Sequence, residues 1–148
     1  MTVSVVNPFD PKTVLLAKHA QHVVLVHFPI ALLITAAGFD FAGEWLKKPA
    51  LAVVARYDLM VAAVATIPVM VTGLLAWQLQ LEGHRLKGIL LQHLAMGLVS
   101  GILIWLVWAM QVRNARRAYL FGAEIVAVLA IAVTAHLGGF LSGVNRPG

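Results

Sequence analysis

Residues 22–45 read HVVLVHFPIALLITAAGFDFAGEW, a run of 24 positions in which Asp40 and Glu44 are the only charged side chains and both fall near its end. A hydrocarbon layer of ~30 Å requires about 20 predominantly apolar residues of helix. The stretch therefore predicts a membrane-spanning helix, and three more runs match it: Val53–Leu79, Ile89–Val112 and Tyr119–Leu141. The connections between them carry Lys47-Lys48-Pro49, then Glu82 to Lys87, then Arg113 to Arg117. Each is too short to hold a further element. The expected fold is all-α: an integral membrane up-down-up-down four-helix bundle. Residues 1–21, with turns at Asn7-Pro8 and Asp10-Pro11, are expected to form an extramembrane segment; residues 22–148 form the four-helix domain.

The composition of the 148-residue chain agrees. Hydrophobic residues make up 61 % and charged residues 11 %, against about 25 % charged in a soluble domain. Mean hydropathy is +0.89. The net charge of +5 comes from short basic clusters between apolar runs, which is the membrane pattern rather than a nucleic-acid surface. The chain has no cysteine. Disulfides, zinc–thiolate sites, cysteine-held iron–sulfur clusters and covalent c-type haem are thereby excluded. Any metal must be held by His, Asp, Glu or Met.

Four spans place both termini and the 80s loop at one face, here the terminal face. The 47–52 and 113–118 loops lie at the opposite, loop face. The loop face carries Lys47, Lys48, Arg56, Arg113, Arg116 and Arg117; the terminal face carries Lys12, Lys18, Arg85, Lys87 and Arg146. The positive-inside rule makes the loop face cytoplasmic and the termini periplasmic, in a bacterial inner membrane. Trp45, Tyr57, Trp105, Trp108 and Tyr119 fit an aromatic belt at the loop face, and Trp77 one at the terminal face.

All six histidines fall in the terminal half: His19 and His22 at the mouth of helix 1, His27 inside it, His84 in the loop, His93 in helix 3 and His136 near the end of helix 4. At 1.5 Å per residue, His27, His93 and His136 lie roughly 7–9 Å below the terminal face. Small residues share their stripes: Ala31 and Gly38 with His27, Gly97 and Ser100 with His93, Gly139 with His136. Three imidazoles at one depth suggest a shared, inward site. A b-type haem needs only axial imidazoles. Helices 1 and 3 are diagonal, roughly 12–14 Å apart, so His27 and His93 are the expected axial pair. His136 is a neighbouring or alternative ligand. His22 lies about 140° round the helix from His27 and is expected, with Arg85 and Lys87, near haem propionates or lipid phosphates. A copper, zinc or iron ion held by three histidines is the other option. At the loop face Asp40, Arg56, Asp58 and Glu124 are expected to form ion pairs, Asp40 with Arg56; a proton entry route is the sharper alternative.

The segment His22-Val-Val-Leu-Val-His27-Phe28-Pro29-Ile30-Ala31 resembles the opening motif of a bacterial membrane-protein family, domain of unknown function 2231. Asp40, Thr72-Gly73, Trp77, His93 and His136-Leu137-Gly138-Gly139 are similar to later positions of that family, so the resemblance covers residues 20–145. The family commonly has His-Pro where this chain has His22-Val23. Fusions of relatives to cytochrome-c-like or Rieske-like segments imply a redox setting outside the cytoplasm. The combined expectation is a small cytochrome-b-like electron-transfer protein, more a subunit than a stand-alone enzyme. Its expected surroundings are the lipid bilayer, other membrane redox subunits or a periplasmic cytochrome, quinone, and further copies of itself. The alternatives are a structural or assembly subunit of a respiratory or photosynthetic complex, and a His-rich metal-binding protein.

Overall fold

The computed structural model describes residues 20–80 and 86–143. They form four helices: α1 Ala20–Trp45, α2 Pro49–Gln80, α3 Gly88–Val112 and α4 Arg117–Leu141. Each is long and apolar enough to cross a membrane. The one boundary well away from expectation is the start of α2, at Pro49 rather than residue 53. Proline at the first helical position loses no hydrogen bond and brings a φ suited to the helix, so the helix begins as soon as the turn ends.

Two corners at the loop face are closed alike. Lys48 N–H donates to the Gly43 carbonyl (2.9 Å) and Lys47 N–H to that of Glu44 (3.4 Å). Ala115 N–H donates to Met110 (2.9 Å) and Asn114 N–H to Gln111 (3.1 Å). Lys47 and Asn114 sit at φ 53° and 51°. This is the helix-terminating motif in which one left-handed residue reverses the chain. Asparagine adopts that conformation readily; lysine does so at some cost.

The corners make two hairpins, α1–α2 and α3–α4. Packing is densest within each hairpin and thinner along the α2–α3 and α1–α4 seams. The core runs through Leu33, Leu59, Ile104, Val107, Leu120 and Ile131. Ala55, Ala62 and Ala63 are fully buried on α2 and let its backbone approach α1. Large apolar side chains such as Ile34, Phe41, Ile67, Ile102 and Leu129 point outward. No span buries more than 28 % of its apolar window within the chain. Water would leave that surface unpaid; lipid covers it.

The expected aromatic belt holds in part. Trp45, Tyr57 and Tyr119 are exposed, but the Trp105 indole N–H donates to Thr66 Oγ1 at 3.1 Å and so ties α3 to α2.

Candidate functional site: two imidazoles facing across the hairpins

The buried positions of α1 are Pro29, Leu33, Ala36, Asp40 and Gly43. Traced back at 3.6 residues per turn, that stripe reaches His22: residues 22 and 40 are 18 apart, about five full turns. His27 is out of phase. It is exposed, and its Nδ1 lies 2.7 Å from the Val23 carbonyl of its own helix. The expectation that His27 faces inward is therefore corrected; Ala31 and Gly38, read as its inward stripe, are exposed with it. His136 is likewise exposed, its ring edge-on to Phe140 at 5.0 Å. Among the described residues no three His, Asp or Glu side chains are placed to share a metal ion. His27 and His136, both exposed, do not join His93 in one inward site.

His22 takes the inward place instead. Its Nδ1 lies 3.1 Å from the Val69 carbonyl and 3.3 Å from Thr72 Oγ1 on α2. His93 repeats the arrangement in the other hairpin, with Nδ1 3.0 Å from the Thr134 carbonyl on α4. Each carbonyl is followed four residues later by glycine: Val69 by Gly73, Thr134 by Gly138. The repetition has a steric cause. A Cβ on Gly73 would stand 2.9 Å from His22 Cε1, and one on Gly138 would stand 3.1 Å from His93 Cε1. A side chain of hydrogen lets the ring lie on the helix and reach a carbonyl already used in the helical ladder; a methyl would push the ring away.

A carbonyl accepts hydrogen bonds and cannot donate them. The proton of each neutral ring thus resides on Nδ1, and the lone pair on Nε2. The two rings meet edge-on across the bundle, centroids 6.5 Å apart and planes at 86°. Below His93, Ser100 Oγ and Thr134 Oγ1 are hydrogen-bonded at 2.9 Å, and Thr134 donates to the Ala130 carbonyl. The diagonal pairing of α1 with α3 is present, but His22, rather than His27, is the imidazole that α1 brings to it. His19, His84 and Arg85 lie outside the described residues. Lys87 is exposed just before α3.

The same diagonal is joined at the loop face. Gln111 is 18 residues from His93, as Asp40 is from His22, and its amide donates to Asp40 Oδ2. Arg117 donates to Asp40 Oδ1 at 3.1 Å and approaches Glu44 at 3.8 Å. The expected Asp40–Arg56 pair is absent; Arg56 instead donates to the Gln111 carbonyl and Asn114 Oδ1, both at 3.3 Å. Glu124 lies beside Asp40 from α4 and is buried with it. Beside this cluster opens a cleft of about 510 Å³ whose lining includes Arg56, Tyr57, Gln111, Asn114, Arg116 and Arg117.

Sequence reasoning placed His22 at the surface because it set the phase of α1 by small residues. Asp40, the costliest side chain to leave in lipid, was the better phase marker.

No curated protein and no solved structure matches the chain. A family described as predicted membrane protein, DUF2231, matches residues 18–146, which takes in all four helices and both imidazoles. The chain belongs to that family of membrane proteins.

Proposed function

We propose that the chain is a small electron-transferring membrane protein in which His22 and His93 hold a b-type haem between the two hairpins. The observation that carries this reading is the close pair of imidazoles from the two hairpins. Two metal–imidazole bonds of about 2 Å, extended to the ring centres, span about 6 Å; the centroids stand 6.5 Å apart. The donor set has the right size. Porphyrin supplies four nitrogens, so two imidazoles complete the coordination of iron, whereas a bare zinc ion takes at least three protein ligands. When bound, haem exchanges single electrons.

The remaining contributions come from the chain. The Val69 and Thr134 carbonyls hold the Nδ1 protons, orient both rings and make Nε2 more basic. Gly73 and Gly138 set how deeply each ring sits. Because each hairpin anchors its own histidine, a small change in hairpin spacing alters the gap without disturbing either anchor. Electron partners in this reading are a periplasmic cytochrome, quinone or other redox subunits. The terminal face, where the pair lies, is the periplasmic face of a bacterial inner membrane.

Absorption of the full chain, purified from cells supplied with haem precursor, tests the reading. The expected result is one haem per chain with the sharp reduced bands of a six-coordinate b-type haem. A colourless protein carrying a stoichiometric metal would make it a metal-binding protein. One that is colourless and metal-free would leave the histidine pair as an interhelical tie in an assembly subunit.

A further inference from the structure

The polar cluster at the loop face has no part in the proposed haem site. Asp40, Gln111 and Glu124 are 1 %, 5 % and 2 % exposed, on three different helices, in a bundle whose outer surface is apolar. Asp40 accepts from Gln111 and Arg117, and Glu124 lies beside Asp40. Two carboxyl groups buried side by side cannot both be ionised, so one of them carries a proton. Two acceptors nevertheless remain unused: Glu124 Oε1 and Gln111 Oε1 are buried with no hydrogen-bond partner among the described residues. A buried acceptor left without a donor costs about 1–3 kcal/mol, so the cluster is built for something that donates.

We propose that Asp40, Glu124 and Gln111 form a binding site for an exchangeable proton, carried with water, that loads from the arginine-lined cleft at the loop face. Charge balance selects a proton over a metal cation. The charged groups facing the site are Asp40 and Glu44 on α1 and Arg117 on α4; α3 contributes the neutral Gln111, and Arg56 of α2 is held against the Gln111 carbonyl. With Asp40 ionised, Arg117 charged and Glu124 protonated, the buried centre is neutral, as a low-dielectric interior requires. A sodium ion would add charge beside a guanidinium that is 3.1 Å from the same carboxylate. Access follows from shared residues: Gln111 and Arg117 line the cleft and also bond Asp40. The Arg117 side chain is 46 % exposed, and its second partner, Glu44, lies at the surface. Arg117 thus links the buried carboxylate to the aqueous side.

Infrared spectroscopy of the full chain in lipid vesicles reads this proton directly. The expected spectrum has a carboxylic-acid carbonyl band at neutral pH that shifts down on transfer to D2O. Glu124→Gln loses the band completely, and Glu44→Gln keeps it. Asp40→Asn also loses it, because Glu124 then carries the single negative charge opposite Arg117; this second variant covers a misfolded first one. Absence of the band in the parent protein, or its survival in Glu124→Gln, overturns the proposal. A band that does not move in D2O means a locked structural proton and overturns it too. A band abolished when sodium replaces choline in the buffer makes the occupant a sodium ion.

Discussion

His22→Ala and His93→Ala each remove the six-coordinate haem spectrum, while His27→Ala and His136→Ala leave it in place. Coordination number sets the size of the effect. Each of the first two substitutions leaves one imidazole for an iron that needs two, so the low-spin bands are lost and haem binding falls by at least about 10-fold, the lower end of what losing even a supporting partner of a metal ligand costs. His27 hydrogen-bonds its own helix and faces outward, and His136 packs edge-on to Phe140 at the exposed end of α4. Absorption and haem content of the four purified variants check this. Loss of the spectrum in His27→Ala with His22→Ala silent would return the axial role to His27 and refute the phase of α1 seen here.

The second large effect is on stability. Asp40→Ala destabilises the bundle by about 3–5 kcal/mol, the usual result of removing one partner from a buried charged cluster. The carboxylate accepts from Gln111 on α3 and Arg117 on α4 and meets Glu124 on α4, so one substitution strands groups on two helices. Arg117 recovers part of its hydration because it is half-exposed. Gln111, at 5 % exposure, does not. Glu44→Ala removes only the exposed 3.8 Å contact with Arg117 and changes stability by about 0–1 kcal/mol. Denaturant titration in mixed micelles, followed by circular dichroism, separates the two. Equal stability of the two variants would mean the cluster does not tie the bundle together.

These two predictions rest on the same geometric fact: α1 and α3 meet at both ends of the diagonal. The spans that carry them were legible from apolar run length alone. Their order in the bundle followed from the short connections. The rotation of each helix was not legible in the same way. A soluble helix declares its inner face by an apolar stripe. In a membrane both faces are apolar, and small residues occur at lipid-facing positions as well as at helix contacts. Ala31 and Gly38 illustrate this, since both are exposed. What carries phase information is polarity. Asp40 and His22 lie five turns apart on α1, and Gln111 and His93 five turns apart on α3. That matched spacing was present in the sequence and marks the inner stripe of both helices. The glycines four residues after Val69 and Thr134 were visible too. Their purpose became readable only once a ring was seen lying on each. The ion pair at the loop face was misassigned for a simpler reason. Arg56, two turns into α2, and Arg117, at the start of α4, both lie at that face, and only the packed structure shows that Arg117, rather than Arg56 of the adjacent α2, reaches Asp40.

Electron paramagnetic resonance of the oxidised, haem-loaded protein tests the central claim most directly, because it reports both the number of axial imidazoles and the angle between them. The rings of His22 and His93 stand at 86°. The predicted result is the strongly anisotropic low-spin signal of two imidazoles in perpendicular planes, lost in His22→Ala and in His93→Ala. A high-spin signal, a low-spin signal of parallel rings, or a haem signal indifferent to both substitutions would contradict it.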